Sequence, residues 1–308
     1  MTRLGQHSAA VTRPALLLDT FSLFFRAFFA LPPMSTTRGE ATGALYGFST
    51  LVLKLLREHP GAELCFALDT GRPTFRHREF QPYKAQRAPT PTPLVEQLRR
   101  LDGLLEAFGG ITLGSPGFEA DDVLATVAAG LRKEERPTWV VSGDRDLLQT
   151  AYGSVRVHFV GRRGKDAIDY DEAAVRERFG VPPWRLPSLV ALVGDTSDNL
   201  PGVPGIGPAT AKKLLAERES VEQLLADAPA LGGRTAGLLL AHAEQLRQTE
   251  TLARLRSDAV LPQPPHLAAP TAQQLEGLRS LFEALEFKSL LPRLDKLQAA
   301  IAAGTGVA

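Results

Sequence analysis

Three acidic side chains stand close together in the stretch Glu119-Ala120-Asp121-Asp122, where an apolar helical pattern begins. Glu119 and Asp122 are three positions apart, so in a helix they project from one face. Like charges this close raise each other's pKa unless a cation lies between them. A divalent-cation site is therefore one interpretation, and a solvated helix start stabilised by the helix dipole is the other. These residues alone favour neither.

Further acids follow segments that are typical of buried strands. Three short apolar runs each lead into an aspartate, namely Asp19 after 15–18, Asp69 after 63–68 and Asp144 after 138–142. One aspartate after a strand is usually a turn residue or a helix cap. Three that follow parallel strands would meet at one edge of the sheet, where open α/β sheets bind ligands. Asp146 follows closely, and Asp195 and Asp198 lie in a later loop.

The acids that this pattern brings together form a candidate metal site. They are Asp19, Asp69, Glu119, Asp121, Asp122, Asp144, Asp146, Asp195 and Asp198. Carboxylates without histidine or cysteine suit hard cations such as Mg²⁺ or Mn²⁺. Two such ions can drive attack on a phosphodiester, one by lowering the pKa of the attacking water and one by steadying the leaving oxygen. For Asp195 and Asp198 the alternative is capping of the loop before Pro201.

A basic segment lies between the second and third predicted strands. Residues 72–100 carry seven Lys or Arg against two Glu, a net charge of +5. These cations are interleaved with Phe75, Phe80 and Tyr83, and such a pattern can contact phosphates and stack on unpaired bases. Prolines at 89, 91 and 93 predict a loop that projects from the sheet edge. A solvated basic surface is the alternative, and Arg38 in an earlier loop could join either.

A glycine-rich segment at 202–208 precedes a predicted helix at 209–217. Gly205 and Gly207 would let backbone N–H groups approach a phosphate, and the helix start adds its positive end. This is the form of a helix-hairpin-helix, with Lys212 and Lys213 placed to reach the same strand. An ordinary turn is the alternative.

Composition and periodicity set the wider organisation. The 308 residues are 44% hydrophobic and 22% charged, as in soluble globular proteins, and no apolar run approaches the ~20 residues of a membrane helix. We expect a cytoplasmic chain. Cys65 is the single cysteine, which excludes an internal disulfide and a cysteine-based zinc site. The net charge of +1 gives no indication for or against nucleic-acid binding.

Strands alternate with helices up to Pro182-Pro183, which predicts an α/β domain with a mostly parallel sheet. We place a disordered lead-in at 1–14, this domain at 15–183, an all-helical region at 184–292 and a flexible tail at 293–308. Periodicity predicts helices at 42–59, 94–108, 120–131, 171–179, 184–194, 208–217, 220–227, 234–256 and 271–286, and a further strand at 155–160.

Several short motifs occur together in one order along the chain. They are Thr37-Arg38-Gly39-Glu40, Tyr46-Gly47-Phe48, Phe75-Arg76-His77, Tyr83-Lys84-Ala85-Gln86-Arg87, Glu119-Ala120-Asp121-Asp122, Gly143-Asp144-Arg145-Asp146, Gly194-Asp195-Thr196-Ser197-Asp198-Asn199-Leu200-Pro201-Gly202 and Leu285-Glu286-Phe287. In these motifs the chain resembles the 5′-nuclease domain of bacterial DNA polymerase I, within the flap endonuclease superfamily. The resemblance implies a PIN-like α/β domain, a helical arch at about 72–100 and a helix-hairpin-helix region.

The resemblance also implies an activity. It implies structure-selective cleavage of 5′ flaps and 5′→3′ exonuclease action by a two-metal-ion mechanism, with Mg²⁺ or Mn²⁺ and a K⁺ ion near Val203 and Ile206. The implied substrates are DNA with 5′ flaps, nicks or 5′ ends, including RNA primers in hybrids, in primer removal and repair. We expect a monomer at the nucleoid that works with a separate DNA polymerase and ligase.

The resemblance assigns roles residue by residue. All nine acids named above are implied metal ligands, and Lys84, Arg87 and Asp144 are implied catalytic residues. The implied DNA contacts are Arg26, Arg38, Arg72, Arg76, Tyr83, Lys84, Arg87, Gly205, Gly207, Lys212 and Lys213. One departure is Phe25, where the family has a tyrosine linked to stacking near the scissile nucleotide. Phenylalanine can stack but cannot donate a hydrogen bond.

Two other functions stay open from the residues. A module that binds DNA junctions without cutting them would share the basic segment and the hairpin, but the complete acid set argues against it. A PIN-type ribonuclease would share the acid set, but it needs no helix-hairpin-helix. The segment 202–208 therefore disfavours the ribonuclease.

Overall fold

The computed structural model describes residues 12–161, 167–261 and 265–303. Most of the predicted lead-in at 1–14 therefore lies outside the described residues. Within the described ranges, no helix has the length and apolar character needed to cross a membrane.

A sheet of six strands forms the centre of the fold, in the order β3-β2-β1-β4-β5-β6. The strands are β1 (Ala15–Asp19), β2 (Glu63–Ala67), β3 (Ile111–Leu113), β4 (Thr138–Ser142), β5 (Val155–Val160) and β6 (Ala167–Tyr170). Neighbouring strands from β3 to β5 pair in parallel, and β6 pairs antiparallel with β5. The α/β prediction is confirmed. The sequence did not predict β3 and β6, because each is too short to show a period.

Seven helices accompany the strands in the first part of the described chain. They are α1 (Thr20–Ala30), α2 (Gly43–Glu58), α3 (Phe75–Glu79), α4 (Thr92–Leu98), α5 (Leu101–Phe108), α6 (Ala120–Lys133) and α7 (Glu172–Phe179). The single helix predicted at 94–108 is wrong, because its two halves pack on different neighbours. Gln97 of α4 accepts hydrogen bonds from the N–H groups of Ala44 and Leu45, whereas Phe108 of α5 packs against Phe282.

The rest of the described chain is helical. Its helices are α8 (Leu186–Val193), α9 (Pro208–Leu215), α10 (Val221–Leu231), α11 (Gly233–Ala241), α12 (Ala243–Ala253), α13 (Ala272–Ala284) and α14 (Leu291–Ala302). The flexible tail expected at 293–308 is wrong for the part that α14 covers, since Leu294 and Leu297 are buried at helical spacing. Residues 304–308 lie outside the described residues.

The two faces of the sheet carry separate cores. On β1, Ala15 and Leu17 face the core that contains α6, and it continues into helices α8 to α12. Leu16 and Leu18 face the other core, with α2, α5, α13 and α14. The region proposed as one helical unit at 184–292 is therefore divided, because α13 packs on the opposite face of the sheet from α8–α12.

Candidate active site

The strand order places three aspartates at one edge of the sheet. Asp19 ends β1, and Asp69 and Asp144 follow the neighbouring strands β2 and β4. The start of α6 is tied to this edge, because the N–H of Ala120 donates to Asp69 Oδ1 at 2.8 Å. Ser142 Oγ donates to Asp19 Oδ2 at 2.5 Å. The predicted meeting of strand-end acids is therefore present in the structure.

These acids line a cavity of about 900 Å³. Its acidic part consists of Asp19, Asp69, Glu119, Asp121 and Asp144. Among the described residues, the Lys and Arg ion pairs of this region go to Glu119, Asp122 and Asp198. Four of the five lining acids therefore face the cavity without such a pair.

The charge of these acids is poorly compensated. Burial, joined by repulsion from Asp144 and Asp69, raises the pKa of Asp19 to about 7 despite the Ser142 hydrogen bond. Burial and the neighbouring charges of Asp19 and Asp144 raise the pKa of Asp121 well above its usual range. Burial and Asp144 do the same to the pKa of Asp146. Such a group of carboxylates stabilises bound cations.

The donor set fits hard divalent ions. All the acidic lining groups offer oxygen, the ligand that Mg²⁺ and Mn²⁺ prefer. Within the described ranges, no three Asp, Glu, His or Cys side chains already converge as a closed set of ligands. Mg²⁺ typically uses one or two carboxylates and keeps several waters. The cavity therefore suits ions that are held partly through water.

A second group of acids is neutralised by cations of residues 76–87. Arg76 is 2% exposed and donates to both oxygens of Asp122, at 2.7 and 2.9 Å, and to Glu119 Oε2 at 3.0 Å. Its remaining donors reach the carbonyls of Leu252 and Arg254. Arg76 is therefore a structural cation here, and its role as a DNA contact stays a prediction.

Asp122 is fully buried in this network. Besides Arg76, its carboxylate accepts from the N–H groups of Glu119 and Arg256, at 3.1 and 2.9 Å. The acid lies outside the cavity lining, and its oxygens are occupied. Asp122 is thus engaged within the protein, and its role as a metal ligand stays a prediction.

Tyr83 also belongs to the interior. It is 3% exposed, and its hydroxyl lies 2.8 Å from Glu119 Oε2 and 2.9 Å from Asp198 Oδ2. Its ring therefore does not present a stacking surface for bases in this structure, and the role of Tyr83 as a DNA contact stays a prediction. Burial would raise the pKa of Glu119, but the Lys84 ammonium and the Arg76 guanidinium hold it below its usual value.

Lys84 and Arg87 pair with Glu119 and Asp198 and also line the cavity. Lys84 Nζ lies 3.1 Å from Glu119 Oε1 and 3.5 Å from Asp198 Oδ2, and Arg87 donates to Asp198 Oδ1 at 3.1 Å. Both side chains line the cavity beside its acids. Arg87 is about half exposed, whereas Lys84 is 6% exposed.

Other predicted contacts lie around the rim. Arg26 and Arg72 line the cavity, and Arg26 donates to the carbonyl of Gly143. A Cβ at Gly143 would overlap the Arg26 side chain, so a larger residue there would displace this arginine. Arg38 lies outside the cavity lining, in an exposed loop that Glu286 fixes by accepting from the N–H of Thr37 at 3.1 Å.

The loop at 194–202 combines capping with the acid network. Asp195 Oδ1 accepts from the N–H groups of Ser197 and Asp198, at 2.6 and 3.3 Å, so the capping interpretation holds for Asp195. Gly202 is packed against the backbone, since a Cβ there would lie 2.3 Å from the carbonyl carbon of Val193. This close approach fixes the loop beside Tyr83 and Lys84.

The glycine-rich segment forms a turn before α9. Gly205 has a φ of +90°, and Gly207 is the N-cap of α9 with open space beside its Cα. Lys213 is exposed, whereas Lys212 Nζ donates to the carbonyl of Arg178 at 3.0 Å. The Val203 carbonyl accepts from the N–H of Ile206 at 3.0 Å. Phosphate binding here, and K⁺ binding at Val203 and Ile206, stay predictions.

Sequence reasoning missed several cavity residues. Phe21, Phe29 and His77 line the cavity together with Phe25, and Ser142 holds Asp19. The signal for the aromatic residues was present, because Phe21, Phe25 and Phe29 are four positions apart on a helix. No comparable pattern marks His77 or Ser142.

Two family models cover most of the chain. The 5′-3′ exonuclease N-terminal resolvase-like domain matches residues 14–180. The 5′-3′ exonuclease C-terminal SAM fold matches residues 181–276. The two matches meet beside Pro182-Pro183.

Curated relatives and solved structures agree with this assignment. DNA polymerase I of Bacillus caldotenax is 38% identical over 287 residues, which are 91% of this chain and 32% of that protein. The thermostable DNA polymerase I of Thermus filiformis is 40% identical over 277 residues, 90% of this chain and 32% of that protein. The chain thus spans about a third of the length of these relatives. A bacteriophage T5 flap endonuclease, solved as a pseudo-enzyme-product complex with DNA and metal ions, shares the fold, with a TM-score of 0.64 and 21% identity over 94% of this chain and 98% of that one.

Proposed function

Because this chain belongs to the 5′-3′ exonuclease family, we propose that it is a metal-dependent, structure-selective 5′ nuclease. It hydrolyses DNA phosphodiesters at 5′ flaps, nicks and 5′ ends, and it also cleaves RNA primers that are paired with DNA. The observation that carries this proposal is the cavity at the sheet edge, where unpaired acids and the cations Lys84 and Arg87 line the same space. Acids of this kind bind divalent cations, and cations bind the phosphate that those ions act on.

The acidic residues of the site have different roles in this reaction. Asp19, Asp69, Asp121 and Asp144 would hold two Mg²⁺ or Mn²⁺ ions, and Asp146, Asp195 and Asp198 would help through water. When bound, the ions supply a water of lowered pKa and neutralise charge on the phosphate. Glu119 contributes by keeping Lys84 at the cavity wall.

Lys84 and Arg87 keep donors for a phosphate. An ammonium has three N–H donors, and two acids already lie near Lys84. Arg87 gives a hydrogen bond to Asp198, which leaves further guanidinium donors out of five. Fixed donors of this kind stabilise the charge that develops on a phosphate during cleavage. The products are a 5′-phosphate and a 3′-hydroxyl.

The helical part would hold the duplex. The N–H groups at Gly205 and Gly207, with exposed Lys213, would contact the phosphate backbone without reading sequence. A K⁺ ion at the carbonyls of Val203 and Ile206 would brace this turn. We further propose that the protein acts as a monomer at the nucleoid, together with a DNA polymerase and a ligase.

The test is a cleavage assay with Mg²⁺ on flap, nicked, overhanging and single-stranded DNA, with single-stranded RNA alongside. We expect cleavage of flap DNA, dependence on Mg²⁺ or Mn²⁺, and 5′-phosphate products. Lys84→Ala should lose much more turnover than affinity, whereas the matched variant Lys213→Ala should lose only affinity. Cleavage of RNA alone, or binding of flaps without any cleavage, would contradict the proposal.

A further inference from the structure

The cavity has a third wall that neither metal binding nor phosphate binding uses. Phe21, Phe25 and Phe29 of α1 line it together with the acids and the arch cations. The three rings are four residues apart, so they lie on one face of α1 with a rise of about 6 Å from each to the next. This row of rings is called the aromatic wall below.

The three rings of the aromatic wall differ in burial, since Phe21 and Phe25 are partly buried and pack against the hydrophobic core. The fully buried residues of α1 are Leu23 and Phe24, which are 2% and 0% exposed. Phe29, in contrast, is 68% exposed at the mouth of the cavity. Its ring contacts Phe28 edge to face at 5.1 Å between centroids. The fold therefore gains little from Phe29, and exposure of a large aromatic side chain beside a cavity indicates a binding role.

The chemistry of the cavity identifies what the wall binds. Ions held by the acids would bind the scissile phosphate, and Arg72, Lys84 and Arg87 would supply positive charge for the neighbouring phosphates. A nucleotide has one more part, an apolar base with two flat faces. Aromatic rings that alternate with cations along a groove bind unpaired bases by stacking, without sequence preference. Bases inside a duplex cannot offer these faces, because they are stacked on each other.

On this basis, which rests on the proposed nuclease function, we propose that Phe29 and Phe21 stack on unpaired bases of the substrate strand. Phe29, at the mouth, is then a specificity-determining residue. It makes the enzyme distinguish a base-bearing single strand at the cavity from a strand without bases.

The decisive comparison uses two flap substrates that differ only in the bases of the unpaired nucleotides next to the junction. One flap carries ordinary bases and the other carries abasic sites. The wild-type protein should cleave the base-bearing flap with a kcat/KM about 5- to 150-fold higher, the range that stacking of one base provides. In Phe29→Ala the ratio of the two kcat/KM values should fall most of the way to one. The ring and the base form a single contact, so removal of either one abolishes it.

Conservative variants separate stacking from bulk. Phe29→Tyr should keep the preference, and Phe29→Leu, which is apolar without a ring face, should lose it. Val260→Ala is the matched control, because Val260 is 78% exposed and lies away from the cavity lining. Equal cleavage of both flaps by the wild-type protein, or the same preference in Phe29→Ala, overturns the inference while the nuclease function stands.

A binding arm keeps the inference testable without cleavage. A flap with 2-aminopurine at the first unpaired position is mixed with the protein in EDTA. Binding should quench the fluorescence in the wild-type protein and in Val260→Ala, and less in Phe29→Ala at equal saturation. Equal quenching in all three proteins overturns the inference, whether or not any of them cuts DNA. Failure of every substrate to be cleaved, with this quenching intact, overturns the proposed function alone.

Discussion

Two groups of carboxylates lie side by side in this protein, and only one of them is paired with cationic side chains. Asp19, Asp121 and Asp144 face the cavity, where burial and mutual repulsion raise the pKa values of Asp19 and Asp121. Glu119 and Asp122 belong to the same acidic motif as Asp121, yet both form ion pairs with Arg76. One turn of helix α6 thus carries both an unsatisfied acid and a satisfied one.

The difference shows that position within a motif does not decide what an acid does. Asp122 lies one residue after Asp121, but about 100° further around the helix. That rotation points one carboxylate toward the cavity and the next toward Arg76. The satisfied acids stabilise the architecture, and the unsatisfied ones leave their oxygens available to a ligand. The predictions below test this division.

Removal of Arg76 should give the largest effect. Arg76→Met leaves Asp122 charged, buried and unpaired, which costs about 3–5 kcal/mol of unfolding free energy. The double variant Arg76→Met, Asp122→Leu should recover most of the loss, because it removes the orphaned charge as well. Urea titrations followed by circular dichroism would measure both. A loss below about 1 kcal/mol in Arg76→Met would place this pair among ordinary surface pairs.

Asp144→Asn should act on cleavage and spare the fold. We expect cleavage of a 5′ flap to fall by about 10²–10³-fold, the loss typical of removing one preorganised electrostatic group. The melting temperature should stay the same or rise, because one repulsive charge is gone. Asp102→Asn, at an exposed position on α5, is the control and should keep both properties. A marked loss of stability in Asp144→Asn would mean that this acid also supports the architecture.

Addition of Mg²⁺ should stabilise the protein through the cavity acids. A ligand at a hundred times its Kd adds about 2.7 kcal/mol to the unfolding free energy. We therefore expect the melting temperature of the wild-type protein to rise with Mg²⁺ and to return with a chelator. The rise should be smaller in Asp144→Asn and unchanged in Asp102→Asn. An equal rise of the melting temperature in Asp144→Asn would mean that the ion binds away from this edge of the sheet.

The smallest effect should come from an exposed ion pair with the same shortest distance of 2.7 Å. Arg100 lies 2.7 Å from Glu40, and each side chain is 43% exposed. Solvent screens this pair, so Arg100→Ala should cost less than about 1 kcal/mol. The same urea titration used for Arg76→Met would measure it. A loss of unfolding free energy as large as that of Arg76→Met would mean that burial does not explain the difference between the two ion pairs.

The sequence predicted most of the sheet because buried parallel strands appear as apolar runs that end at polar residues. The runs before Asp19, Asp69 and Asp144 were sufficient to place those acids at one edge. The strand Ile111–Leu113 was missed because three residues carry no detectable period. The tail was misjudged because its small residues concealed the spacing of Leu291, Leu294 and Leu297.

The site was predicted by residue type but not by orientation. A motif shows that Arg76, Tyr83 and Asp122 occur at suitable spacings, yet it cannot show that they lie inside. Arg76 and Asp122 depend on the carbonyls of Leu252 and Arg254 and on the N–H of Arg256, and Tyr83 packs with Leu252 and Ala253, all from a segment more than a hundred residues away. Such partners have no signature in the local sequence, so surface roles were assigned to buried groups.

The distance between those partners along the chain also bears on how the protein is made. A ribosome releases Arg76 and Asp122 long before it releases residues 252–256, which supply three of the hydrogen bonds around them. A nascent chain that ends before this segment holds the guanidinium and its acid without those partners. The acidic edge of the sheet is therefore completed late in translation. A fragment that ends after Pro183 should lack these hydrogen bonds and so should not form an intact active site.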